Sequence, residues 1–200
     1  MQANRIVGCA LALCAGALLS SAPAQADSVK KAKATLNSCA DPTVNVGTAF
    51  LVELPSAEAV KTVEVFITVR GLTPGQHAVH IHAVGNCGST TAACGDAGSH
   101  LDLGPFGNNA PVQPNHPYHS GDLVNLTVNA DGKGTLLATT TRVALSESAS
   151  RPAGRELTIF DADRSSIVIH ALPDLYCPDP TNANCAGGGR VACGVIEPAN

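Results

Sequence analysis

The chain has 200 residues, a formal net charge of −4 at pH 7 and 44% hydrophobic residues. That length is enough for one domain with a core of its own, and the acidic balance argues against nucleic acid as a partner. Beyond the extreme N-terminus no stretch is apolar enough for a helix to cross a membrane.

The first residues read as an export signal. Arg5 precedes an apolar run, IVGCALALCAGALL, and the run leads to Ala24-Gln25-Ala26, a small-residue cleavage site. The apolar run is short for a span of ~20 residues, so a membrane anchor is the weaker reading. Ile6-Val7-Gly8-Cys9 has the look of a lipoprotein box, but the apolar core follows Cys9 instead of preceding it. The division expected is a signal peptide over 1–26 and one domain over 27–200, free of the membrane once the signal is removed. Cys9 and Cys14 leave with the signal. The even set that remains, Cys39, Cys87, Cys94, Cys177, Cys185 and Cys193, suggests disulfides in an exported protein. With no C-x-x-C pair, a cysteine zinc cluster is disfavoured.

In chain order, a first strand is expected over Lys30 to Leu36 and a second over Val44 to Leu54, stopped by Pro55. Val60 to Val69 carries the strongest period-2 signal: Val63, Val65, Ile67 and Val69 share one face, and Glu64, Phe66 and Thr68 the other. Gly71 to Gly75 forms a turn, and Gln76 to Val84 a strand with alternating histidines. Gly85 to Asp122 lacks periodicity and is rich in Gly, Pro, Asn and Ser. A loop that long in a compact domain is usually functional or disordered. Leu123 to Val128 and Gly134 to Thr140 flank Asn129-Ala130-Asp131-Gly132 as a hairpin. Arg142 to Arg155 is a polar connection. Short strands are expected at Leu157 to Phe160 and Ser166 to His170, then a second loop from Pro173 to Gly189, then a last strand over Arg190 to Ile196. No long amphipathic helix and no repeat interrupts this pattern, so the fold class is all-β, a sandwich or barrel.

Of seven histidines, six lie between His77 and Asp122: His77, His80, His82, His100, His116 and His119. The seventh is His170. A metal site built from one loop and one distant strand would cluster them so. In a strand, His80 and His82 point to the same face, so both imidazoles can reach one ion. Asp122 follows His119 by three residues, in His119-Ser120-Gly121-Asp122. His77, offset from that pair, is not expected to be a ligand.

The ordered motifs H-x-H, A-G-x-H, H-x-G-D-L, I-V-I-H-A-x-P-D and G-G-x-R-V-A-C-G-V-I resemble the copper–zinc superoxide dismutase family, over nearly the whole chain after the signal. The resemblance implies a Greek-key β-barrel of about eight antiparallel strands with two long loops. It implies disproportionation of superoxide to dioxygen and hydrogen peroxide by a redox-cycling copper joined through a histidine to a structural zinc. On this reading the copper ligands are His80, His82, His100 and His170, a donor set suited to copper. The zinc ligands are His100, His116, His119 and Asp122, three nitrogens and one carboxylate oxygen. Asp174 matches the carboxylate that links a copper histidine to a zinc histidine. Arg190 matches the arginine that guides superoxide.

Cys193 matches the half-cystine that pins the long loop. Its partner is Cys87, as in many bacterial members, or Cys94, as in many animal ones. The pairing adopted is Cys87–Cys193, with Cys177–Cys185 and Cys39–Cys94. His116 stands closer to His119 than in familiar members, and Ala78 and Val79 replace the usual Gly and aromatic residue before the copper pair. A copper carrier and a copper-only dismutase are the competing readings; Arg190 and the complete copper set favour the enzyme over the carrier. A periplasmic or secreted monomer or homodimer is expected.

Overall fold

A computed structural model describes residues 29–56, 61–90, 93–103, 116–146, 158–177, 182 and 184–200. The expected signal (Met1 to Ala26), Val60, Leu157 and the connection beyond Ser146 lie outside the described residues.

Strands β1 (Lys30–Ser38), β2 (Asn45–Glu53) and β3 (Val63–Val69) form an antiparallel meander. The alternation of β3 sends Val63, Val65, Ile67 and Val69 inward, while Glu64 and Phe66 are exposed. Beta-branched residues also suit the outer face, where side chains pack against cross-strand neighbours. Thr35, Thr48, Thr68, Thr135 and Thr127 pair in register across five strands there.

After the turn at Gly71, β4 (Gly75–His77) and β5 (Val79–His82) follow with only Ala78 between them. They are followed by β6 (Leu126–Val128), β7 (Gly134–Thr140), β8 (Ser166–His170), β9 (Arg190–Val195) and β10 (Glu197–Ala199). Neighbours run β4-β6-β7-β3-β2-β1-β9-β8-β5, and β10 adds to β1. Because β4 and β5 stand at the two ends of this path yet adjoin in the chain, the nine antiparallel strands make a nearly closed barrel. Taken as halves of one strand, they leave about eight, the number the family resemblance implied. Closure removes the open edges at which sheets aggregate.

Two sequence expectations are corrected. The strand expected over Gln76 to Val84 is split at Ala78 and ends at His82. Its first half pairs with β6 and its second with β8, so the backbone must change partners between them. Ala78 itself donates to Leu172 O and accepts from the His170 amide, both at 2.9 Å. At 158–160 no strand forms among the described residues; Thr158 makes a single parallel bridge to Ala144.

The barrel interior is filled by Leu36, Leu51, Ile67, Ile81, Leu126, Ile167 and Ile169, all fully buried. Each contributes about 1.5–3 kcal/mol by burial. Glu53 is a polar residue buried at the end of β2. Its buried carboxylate accepts the Leu145 amide at 2.6 Å and the Ser146 amide at 3.1 Å, and so anchors the segment leaving β7. Ile67→Ala, in a central strand, is expected to lower unfolding free energy by about 2–5 kcal/mol, read as a lower denaturant midpoint at unchanged slope.

Candidate metal centre

Along β5, Val79 and Ile81 enter the barrel core, so His80 and His82 point outward, and both are fully buried all the same. What covers them is the long loop, which the backbone stitches onto β5. Ala83 donates to Ser99 O and Leu101 to Ile81 O, both at 2.9 Å; Ile81 donates to Gly121 O and Gly121 to Leu101 O, both at 2.8 Å. These bonds set His100 opposite His82 and Asp122 opposite His80 as bridged pairs. Gly121 permits the approach, because a Cβ there would stand 2.2 Å from Ile81 O. His170 ends β8, beside β5.

Four imidazoles converge: His80, His82, His100 and His170 each offer a ligand atom within 4.8 Å of the others. Each ring is oriented through its far nitrogen. His80 Nε2 donates to Asp174 Oδ2 at 2.9 Å, His82 Nδ1 to Gly98 O at 2.9 Å, and His170 Nδ1 to Gly188 O at 3.0 Å. His82 Nε2 and His170 Nε2 are left facing each other at 3.4 Å. A second group, His100, His116, His119 and Asp122, meets the same 4.8 Å criterion and shares His100 with the first. Asp122 Oδ1 lies 2.8 Å from His100 Nδ1, and its Oδ2 lies 3.1 Å from His119 Nδ1 and 3.4 Å from His116 Nδ1. Asp174 joins the groups, accepting from His116 Nε2 through Oδ1 at 2.9 Å and from His80 through Oδ2.

Electrostatics set His116 apart from His82, His100 and His170. Burial, more than any other cause, holds His82 well below the usual imidazole range, with His100, Arg190 and His170 adding to it. Burial likewise lowers His170 to about 3, and it lowers His100 to about 4 against its hydrogen bond to Asp122. These rings are neutral, the form that binds metal. At His116 burial acts downward but is outweighed by the hydrogen bonds to Asp122 and Asp174, which raise it to about 9. Burial would raise Asp122 and Asp174, yet their histidine partners hold both well below the carboxylate range. Two ionised carboxylates under a loop call for positive charge beside them.

Arg190 begins β9. Its Nη1 donates to Cys94 O at 2.6 Å and to Gly95 O at 3.3 Å, and its Nη2 to Gly98 O. Its charge reaches the first group, where it depresses His82 and His170. Gly98 O thus accepts from both a convergent histidine and the arginine. Disulfides join Cys87 to Cys193, Cys39 to Cys94 and Cys177 to Cys185.

The chain matches the copper/zinc superoxide dismutase (SODC) family over residues 45–196. The protein belongs to that family. It is 39% identical over 131 residues to a Cu-Zn superoxide dismutase of Caulobacter vibrioides, covering 66% of this chain and 69% of that one. Identity to the Deinococcus radiodurans Cu-Zn superoxide dismutase is 37% over 143 residues, covering 68% and 71%. In structure it resembles the Brucella abortus Cu/Zn superoxide dismutase with a TM-score of 0.59 at 27% identity, covering 84% and 99% of the two chains. A SOD-like protein from Bacillus subtilis aligns with a TM-score of 0.58 at 26% identity, covering 81% and 95%.

A copper/zinc superoxide dismutase converts superoxide to dioxygen and hydrogen peroxide, and its cofactors are copper and zinc. The dismutase's own residues fit both metals. His80 Nδ1 and His119 Nε2 are buried without a hydrogen-bond partner among the described residues, and His116 Nδ1 has only the 3.4 Å contact with Asp122 Oδ2. A bound cation would satisfy nitrogens of that kind, all on residues of the two groups.

Two supporting residues, His77 and Asn125, carry no motif signal. His77 donates through Nδ1 to the His170 carbonyl at 2.7 Å, and its Nε2 lies 2.8 Å from Thr73 O; it belongs to neither group. Asn125 grips Asp174 from both sides, donating to its carbonyl at 3.0 Å and accepting from its amide at 2.8 Å. Gly187, at φ 87°, leaves no room for a Cβ, which would stand 2.8 Å from the His170 Cβ. The run Gly187-Gly188-Gly189 was the one available clue to this packing.

Gly121→Ala is expected to push the loop off β5. The cost of such overpacking is about 1–3 kcal/mol, so the melting temperature of the metal-free protein should fall by several degrees; an unchanged value would refute the close approach.

Proposed function

We propose that His80, His82, His100 and His170 hold the copper of this dismutase, and that His100, His116, His119 and Asp122 hold its zinc. The observation carrying this reading is the sharing of His100 between two buried donor groups. Copper supplies one-electron exchange with superoxide, while zinc closes a structural site. The protein's part is orientation, access and protons. Asp174 and the carbonyls of Gly98 and Gly188 keep an N–H on the far side of three rings, so the near nitrogens carry lone pairs. With Nδ1 of His100 turned to Asp122, Nε2 is the atom that faces the copper group and can hold and release a proton. Two superoxide anions and two protons give dioxygen and hydrogen peroxide, and His100 Nε2 is placed to relay one of those protons.

Arg190 guides the substrate. A small anion must reach a covered site in an acidic protein, and a local positive charge raises its rate of arrival; superoxide dismutases are themselves an example of such steering. Residues 1–26 act as the export signal and 27–200 as the enzyme, released to the periplasm or the cell exterior. The A-x-A site, the disulfides and the bacterial relatives support that location.

Metal content after loading with both ions, measured beside His116→Ala, tests the assignment. The parent should retain both metals and the variant should lose zinc while keeping copper. Copper alone in both, with undiminished turnover, would sink the zinc set. Arg190→Gln should lower kcat/KM roughly 10-fold at low ionic strength and flatten its dependence on salt. An unchanged salt profile would refute steering by this residue.

A further inference from the structure

Arg190 is held at both ends by residues that are joined to each other. On its backbone side, the Cys39 amide donates to the carbonyl of Val191, the next residue, at 2.9 Å. On its guanidinium side, Nη1 donates to the Cys94 carbonyl at 2.6 Å. A disulfide connects Cys39 to Cys94. The result is a closed ring: Cys39, its sulfur bond to Cys94, the Cys94 carbonyl, the side chain of Arg190, Val191 and back to Cys39.

Each part of the ring is fixed. Cys39 and Cys94 are 5% and 2% exposed and pack with Ala97, Val168 and Cys193. Cys94 lies in the left-handed region at φ 54°, a conformation that a residue with a Cβ keeps only where its surroundings impose it. The Cys94 amide is also held, donating to Ser89 Oγ at 3.1 Å. The second bridge to β9, Cys87–Cys193, fastens the same loop, but the carbonyls that Arg190 uses among the described residues are those of Cys94, Gly95 and Gly98. An arginine carries several free rotors, and its fork acts as a defined donor only where its acceptors are themselves in place.

We infer that the Cys39–Cys94 disulfide is a positioning cross-link for Arg190, fixing both the strand residue beside it and the loop carbonyl on which its guanidinium rests, and so the direction in which the charge is presented to superoxide. Cys39 and Cys94 belong to neither donor group and act through the arginine. This rests on the proposed guiding role of Arg190.

The test uses the full chain loaded with copper and zinc, as parent, Cys39→Ser/Cys94→Ser, Arg190→Gln and the combination of all three substitutions. Metal content, the ionic-strength dependence of kcat/KM, and the dissociation constant of azide as an anion probe are measured on each. The bridge-free variant should keep its metals, lose roughly 3- to 10-fold in kcat/KM at low salt, and bind azide more weakly. In the Arg190→Gln background, removing the bridge should cost nothing further, since both changes act through one group. An equal loss in both backgrounds, or no loss in either, overturns the inference. If Arg190→Gln alone leaves rate and azide binding intact, the guiding role itself falls, a result distinct from the other two. Cys39→Val/Cys94→Ala offers a second filling of the buried site should the serines unfold it. The Arg190 guanidinium N–H signals of the metal-free proteins give a readout apart from activity: shielded from solvent exchange in the parent, exchange-broadened without the bridge. Equal shielding in both would also overturn the inference.

Discussion

Two ionised carboxylates buried beneath a loop are the constraint on which the rest of this structure depends. Asp122 and Asp174 are 3% and 2% exposed, and charge so far from water persists only with partners around it. Five of their hydrogen-bonded or ion-paired contacts are histidine nitrogens, and these contacts decide which way each ring faces. Asp174 in turn is gripped by Asn125 at the start of β6. A charge requirement thus runs from the barrel wall through a carboxylate to the imidazoles of both groups. A cation held there would complete this charge balance and engage the unpartnered nitrogens, so metal and loop would stabilise each other.

What could be read from the chain was whatever repeats locally. The alternation of Val63, Val65, Ile67 and Val69 announced β3, and the Asn129 to Gly132 turn placed the β6–β7 hairpin. His80 and His82 signalled a shared face because a strand has period two. The copper and zinc sets, by contrast, came from family resemblance; the residues alone offered only a cluster of histidines. The break at Ala78 was not legible, because it arises from barrel closure, where β4 and β5 must satisfy different neighbours. Nor were the carbonyls of Gly98 and Gly188, or the amide of Asn125: each acts through a contact far off in sequence and uses groups that every residue, or any asparagine, possesses. The expected strand at Leu157 to Phe160 failed for a related reason, since a short apolar run forms a strand only where a ladder is free to receive it.

Barrel and loop divide the work of holding the two donor groups. His80, His82 and His170 stand on paired strands whose inward neighbours form the core, so packing fixes them. His100 and Asp122 come from the loop, and backbone bonds to Ile81 give them nearly the same security. Two disulfides then tie that loop to β9 and to the residue following β1, and a third closes the second loop on itself. Three kinds of restraint converge on a volume only a few residues across, in keeping with the narrow tolerance of a metal site for misplaced donors.

The stitching of the loop to β5 has a consequence for how such proteins diverge. Leu101 and Gly121 are bonded to the same residue, Ile81, so the two ends of the intervening segment are fixed independently of its length. Insertions and deletions between them are cheap in closure entropy, which grows only slowly with loop size. His116, three residues from His119, still joins the second group despite the short spacing. The number of residues between the two anchors can therefore vary while the donor atoms they frame stay where they are.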